Sequence, residues 1–357
     1  MHRRSNLPSG RVPRMLCLLI GILVGCSPVS EPSGSSGSSA GSSPSPQMVR
    51  SETGAALDRD FPDPTVIRAS NGAYYAYATQ VVSGSRAVNI QVARSDNLLD
   101  WAYLGDALPV KPSWAQTTQS FWAPQVLEQN GTYFMYFSAV PDDGDVDESC
   151  LTVATSTSPE GPFEDAGRPL LCGYEIDPAV FRDPVSGGTF MYWGSSGDIV
   201  VQPMSQDLLS LEGAAPSLLL KGWSSRVRRP YEHGIEGPFV IYRGGWYYLF
   251  YSGDRCCEFP PHYAVLVARS KRPDGGFRRI GPVEGQASSV ILSDWSHWAG
   301  PGHCSVFRDD AGHDRIACHA IDRREPFLGT GDVRRVMLIE RLGYRKNWPA
   351  VRLGSSR

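Results

Sequence analysis

Three carboxylates head copies of one repeated phrase. Asp63 opens Asp63-Pro-Thr-Val-Ile-Arg68, Asp177 opens Asp177-Pro-Ala-Val-Phe-Arg182, and Glu236 opens Glu236-Gly-Pro-Phe-Val-Ile-Tyr-Arg243. Another copy begins Ala123-Pro-Gln-Val-Leu-Glu128, and a degraded fifth begins His303-Cys-Ser-Val-Phe-Arg308. The copies start 54 to 67 residues apart. If they are structurally equivalent, their heads meet at one place. Two carboxyl groups at one site, one holding a proton and one ionised, are what cleavage of a glycosidic bond needs. The acid protonates the leaving oxygen while the carboxylate works on the opposite face of the sugar. A third carboxylate can raise the proton affinity of the acid. Asp-Pro can also simply start a strand through an Asx turn, but that accounts less well for three acids in equivalent places. Aligned on the prolines, the heads are Asp63, Ala123, Asp177 and Gly237, with Glu236 one step earlier; in the fifth copy Ser305 falls in line with the prolines and His303 is the head.

The elements that must position these groups follow from the rest of each copy. A short apolar run is followed by a turn such as Asn71-Gly72, Asn130-Gly131 or Gly244-Gly245, and then by an aromatic run such as Tyr74-Tyr-Ala-Tyr-Ala78 or Trp246-Tyr-Tyr-Leu-Phe250. These read as hairpins. Each is followed by an alternating strand, a polar turn and a short apolar segment suited to an outer strand. Five units of four strands that cannot bury both faces alone must stack around an axis, so an all-β, five-bladed β-propeller is expected. The first strand of each blade then lines the axis. The repeats span about residues 58–349, within a domain expected over 51–357, and no N-terminal strand that completes the last blade is evident. Trp122 heads the second blade beside the carboxylates and offers a face for stacking on a sugar. Trp101 and Phe121 read as packing residues. Arg255-Cys-Cys-Glu258 lies on a loop that could border the cleft, and Arg226, Arg228 and Arg229 read as solvated.

Composition agrees with such a body. The chain has 357 residues, 37 glycines and 28 prolines, which favours turn-rich β structure. Its formal charge of −3 argues against nucleic acid as a partner. Residues 1–25 have a basic start (Arg3, Arg4, Arg11, Arg14) and an apolar run from Met15 to Gly25, as in a targeting segment. The run ends Leu23-Val24-Gly25-Cys26, which resembles the lipobox of bacterial lipoproteins and implies lipidation at Cys26. Residues 26–50 are Ser/Gly/Pro-rich and read as a flexible tether. The expectation is therefore a membrane-anchored lipoprotein exposed outside the cytoplasm, on the outer membrane or cell surface, and monomeric. Six cysteines follow Cys26, an even count that favours disulfides in an oxidising compartment. Cys304 with Cys318, and Cys150 with Cys172, are plausible pairs, which leaves the adjacent Cys256 and Cys257.

Taken in order, Phe61-Pro-Asp-Pro-Thr-Val-Ile67, Phe121-Trp-Ala-Pro-Gln-Val126, Ile176-Asp-Pro-Ala-Val-Phe181, Glu236-Gly-Pro-Phe239 and Gly300-Pro-Gly-His-Cys-Ser-Val306 resemble the signature segments of family-43 glycoside hydrolases. The resemblance covers nearly the whole chain after the tether. It implies an inverting hydrolase of arabinose- or xylose-containing plant cell-wall polysaccharides or their oligomers, with Asp63 as general base, Glu236 as general acid and Asp177 tuning that acid. It requires no cofactor. His303 matches an axial histidine that in several members lies beside a channel metal, often calcium held largely through water, so a water-mediated calcium site and a substrate contact at His303 are both implied. Cys304 replaces the asparagine usual after that histidine. His319 matches a strand histidine and reads as structural. The alternative is a non-catalytic carbohydrate-binding lipoprotein on the same fold.

Overall fold

The computed structural model describes residues 48–49, 54–83, 86–223, 231–283 and 289–353. Cys26, the tether before Met48 and Arg226, Arg228 and Arg229 lie outside the described residues.

Five antiparallel sheets of four or five strands follow one another along the chain, besides a two-stranded one formed by Val81–Ser83 and Arg86–Val88. The first has strands Thr65–Arg68, Tyr74–Ala78, Gln91–Ser95 and Trp101–Asp106, in that order from its inner edge. The second is built on Phe121–Gln129, Thr132–Ala139 and Cys150–Ser156, the third on Glu175–Arg182, Thr189–Ser195, Asp198–Pro203 and Ser217–Leu220. The fourth contains Ile235–Arg243, Trp246–Arg255 and His262–Ser270, and the fifth Trp298–Arg308, Asp314–Asp322, Val336–Arg345 and Trp348–Arg352. Two short segments share the outer edge of the second blade, and two that of the fourth. Together the sheets form the expected five-bladed propeller. The helical pieces among the described residues are one turn each, Val146–Glu148 and Ile280–Val283.

The packing explains why the aromatic second strands recur. Tyr75, Tyr77, Tyr136, Tyr192, Tyr248 and Tyr251 are all at most 2% exposed. They fill the wedges between neighbouring blades, so that the large apolar clusters draw on two blades each. Each such ring removes on the order of 150–250 Å² from water, more than a typical aliphatic side chain. Trp101 and Phe121 are fully buried, as their sequence context suggests.

Among the described residues, the four strands of the last blade all come from the C-terminal part of the chain. Residues 55–61 instead lie along its third strand. Ala56 N–H donates to Met337 O at 2.9 Å and Phe61 N–H to Arg335 O at 2.7 Å. Met48–Val49, within the segment expected to be tether, pairs with Trp101–Ala102 on the open outer edge of the first blade. Main-chain pairing of that kind needs no side-chain pattern, so composition does not reveal it. Disulfides join Cys150 to Cys172, Cys304 to Cys318 and Cys256 to Cys257.

Candidate active site

Where each first strand starts, the chain makes the same kink five times. Asp63, Ala123, Asp177, Gly237 and His303 have φ of 56°, 49°, 61°, 57° and 48°. The left-handed conformation is rare for residues other than glycine. Its recurrence marks these five positions as equivalent. In four strands it coincides with a shift of pairing register between the head and the strand proper. The register also corrects the fifth alignment. Ser305 pairs with Ala317 as Thr65 pairs with Tyr77, so Cys304, not Ser305, stands in line with the prolines. Residue by residue, His303-Cys-Ser-Val-Phe-Arg308 matches Asp63-Pro-Thr-Val-Ile-Arg68 in this same register, without a gap.

The kink aims each head's N–H at the preceding blade. Ala123 N–H donates to Thr79 Oγ1 at 2.9 Å, Asp177 N–H to Ser138 Oγ at 2.8 Å and His303 N–H to Ser252 Oγ at 2.9 Å. Around the ring closure, Asp63 N–H meets His319 Nδ1 at 3.2 Å. The third blade has Gly194 at the equivalent register position, opposite Ile176, and offers no side-chain acceptor. There the Asp177 carboxylate takes the Gly237 N–H, at 3.0 Å from Oδ2.

Asp63, Asp177, Glu236, His303 and Trp122 all line one cleft of about 500 Å³ at the end of the axis. All five residues expected at the site are therefore brought together. Below them, the residues at and after each kink close the axis to a space of about 20 Å³. Glu236 is partly exposed and accepts a 2.7 Å hydrogen bond from Tyr263 Oη. His303 Nδ1 lies 3.4 Å from Asp63 Oδ1 and 4.0 Å from Asp177 Oδ2. Gly237 permits this approach, because a Cβ there would stand 3.2 Å from the His303 ring.

The carboxyls are held in different charge states. Burial pushes Asp63 toward protonation, but Arg335, His303 and His319 outweigh it and hold this carboxyl well below its ordinary range. Arg335 Nη1 donates to Asp63 Oδ1 at 3.2 Å and Thr79 Oγ1 to Oδ2 at 2.6 Å. Burial raises Glu236 to about 7, helped by the charge of Asp177 and opposed by the Tyr263 hydrogen bond. Burial and then the charge of Asp63 likewise raise Asp177 to about 7. The site thus places an ionised carboxylate beside an acid that keeps its proton near neutrality.

Arg335, Tyr263 and His319 are contributors that repeat reasoning did not assign to the site. Arg335 arrives just ahead of the fifth blade's third strand, fixed by its own N–H donating to Asp60 Oδ1 at 2.9 Å. His319, expected to be structural, does more than pack. It is fully buried, stacks on Tyr263 with an interplanar angle of 9°, and has Nδ1 3.0 Å from Asp63 Oδ1. One nitrogen cannot serve the Asp63 amide and carboxylate at once. Burial pushes this imidazole down to about 4, so it is neutral at ordinary pH. The repeat carried a usable signal, since His319 occupies the register place of Thr79, Ser138 and Ser252.

Asp177, Glu236 and His303 bring one ligand-type atom each within 4.8 Å of one another. Two carboxylates and an imidazole supply fewer oxygens than the six to eight that calcium takes. Asp177 Oδ2 and Glu236 Oε1 already accept hydrogen bonds, and the Arg335 cation stands beside Asp63. These residues alone do not complete a calcium shell, so a calcium here would take most of its oxygens from water.

A five-bladed propeller with three acids of divided charge state at its axis defines a glycosidase of the propeller class. The chain belongs to glycosyl hydrolases family 43, whose sequence pattern matches residues 56–349. It is 26% identical over 297 residues, 75% of this chain and 81% of the relative, to an extracellular exo-α-(1→5)-L-arabinofuranosidase of Cellvibrio japonicus. It is 32% identical over 263 residues, 62% of this chain and 67% of the relative, to a probable arabinan endo-1,5-α-L-arabinosidase B of Aspergillus fumigatus. Among solved structures, a thermostable family-43 glycoside hydrolase superposes with a TM-score of 0.68 at 29% identity, covering 83% of this chain and 93% of that one.

Proposed function

We propose that this glycosidase hydrolyses arabinose- or xylose-containing plant polysaccharides or their oligomers with inversion at the anomeric carbon. The observation that carries the mechanism is the contrast between Asp63, held ionised by Arg335, and Glu236, held protonated by burial and by Asp177. Glu236 donates its proton to the leaving oxygen as the bond breaks. Asp63 takes a proton from the water that attacks the opposite face of the sugar. Asp177 raises the proton affinity of Glu236 and, by accepting the Gly237 N–H, fixes the main chain next to it. Trp122 and His303 contact the sugar. A calcium beside His303 would be held largely through water, and neither proton transfer needs it.

The test is a panel of nitrophenyl α-L-arabinofuranoside, nitrophenyl β-D-xyloside and debranched arabinan offered to the full chain. Turnover of at least one, with the inverted anomer appearing first by proton NMR, is the expected result. No turnover of any pentoside would sink the substrate assignment, and a retained anomer would make Asp63 a nucleophile. A carbohydrate-binding protein without activity would bind the same ligands unchanged.

The lipobox-like Leu23-Val-Gly-Cys26 supports a lipid anchor at Cys26, with the Ser/Gly/Pro-rich stretch holding a monomeric propeller off the membrane. The extracellular relative supports action outside the cytoplasm. Cys26→Ser should release the protein from membranes or block its processing. Membrane association unchanged by that substitution would remove Cys26 as the anchor.

A further inference from the structure

The adjacent cysteines have no place in the mechanism above, yet they stand in its cleft. Cys256 and Cys257 are disulfide-bonded, follow the fourth blade's second strand, and line the cleft with Asp63, Trp122 and Glu236. Cys257 is exposed and Cys256 partly so, whereas Cys304 and Cys318 are buried. Arg335 Nη1 donates to Cys257 Sγ at 3.4 Å, and the same nitrogen donates to Asp63 Oδ1 at 3.2 Å. One nitrogen atom therefore separates the sulfur from the carboxylate.

We infer that the Cys256–Cys257 disulfide is a specificity-determining wall that contacts the glycone, the sugar whose anomeric carbon reacts. The inference rests on the glycosidase reading above. A carboxylate that activates the attacking water stands one water away from that sugar's anomeric carbon. A group one nitrogen away from it borders the same sugar. Two adjacent cysteines joined through their sulfurs close a small ring that includes the peptide bond. The result is an apolar surface with little rotamer freedom to lose on binding and no hydrogen bond to donate. Such a surface suits the C–H edge of a pentose. A hexose would set its additional hydroxymethyl group against sulfur, with no partner for the hydroxyl. Discrimination by shape of this kind is worth roughly 10- to 200-fold for one carbon.

The experiment compares the full-chain wild type with Cys256→Ala/Cys257→Ala on nitrophenyl pentosides and the matching hexosides. The double variant should raise KM for the best pentoside about tenfold, leave kcat within about threefold, and narrow the preference over the hexoside by about tenfold. Neither limb of the pH profile should move. Unchanged KM and preference would overturn the inference. So would a fall in kcat with a shifted acid limb, because the pair would then act only through Arg335. If the variant does not fold, the wild type decides. After mild reduction, the free pentose product should slow alkylation of Cys256 and Cys257, and equal rates with and without pentose would overturn the contact. A wild type that cleaves no pentoside would instead remove the substrate assignment, independently of both outcomes.

Discussion

At the scale of single residues, the site works by unequal treatment of similar groups. Asp63 and Asp177 are both nearly buried aspartates at the same kink, with 9% and 8% of their surface exposed. Burial alone would raise both. Arg335 reverses the effect at Asp63, while Asp177, farther from that cation, feels the charge of Asp63. Activity needs Asp63 ionised and Glu236 protonated, so kcat/KM should be bell-shaped in pH, with the alkaline limb near 7. Two substitutions should move opposite limbs. Asp177→Asn removes a charge that raises Glu236, so the acid loses its proton sooner and the alkaline limb moves to lower pH. Arg335→Gln removes the cation that holds Asp63 ionised, so the acid limb moves to higher pH. A pH–rate profile of each variant on an aryl pentoside checks both signs. A limb moving the other way would reverse the assignment of base and acid.

At the scale of elements, glycines decide which side chains reach the acid. Tyr263 can donate to Glu236 only because Gly302, on the neighbouring blade, has no side chain. A Cβ at Gly302 would fall 2.0 Å from Tyr263 Cε1. The Tyr263 ring is 1% exposed and has little room to yield. Gly302→Ala should therefore cost about 1–3 kcal/mol in overpacking and pull Tyr263 off Glu236. That hydrogen bond lowers Glu236, so its loss should shift the alkaline limb to higher pH, opposite to Asp177→Asn. Tyr263→Phe should give the same shift with less loss of stability. Thermal melts and pH profiles of the two variants separate packing from electrostatics. An unmoved limb in Tyr263→Phe would remove the bond from the tuning of the acid. The cross-blade bonds from Thr79, Ser138 and Ser252 belong to this scale too, because they lock each kink to the blade before it.

At the scale of the whole molecule, the ring must close for the first and last blades to share a site. Ser305 Oγ accepts from Val66 N–H at 3.1 Å and donates to Pro64 O at 3.0 Å, across the seam between blades five and one. Ser305 is 1% exposed, so Ser305→Ala should strand both main-chain groups at a cost of about 1–3 kcal/mol. A lowered Tm with both pH limbs in place is the expected outcome, and an unchanged Tm would mean that the other seam contacts suffice. The repeat was legible in the residues alone: five hairpins, their aromatic second strands, and the heads Asp63, Asp177, Glu236 and His303. These are local patterns, written within a few residues of each other in every copy. Tertiary structure alone decided what lies between copies. Arg335 meets Asp63 across a separation of 272 residues and His319 across 256, through a closure that uses main-chain bonds with no sequence signature. The charge of each carboxyl depends on those distant neighbours and on burial. A motif can name the acids at a site, but the division of labour among them is set by the ring that brings them together.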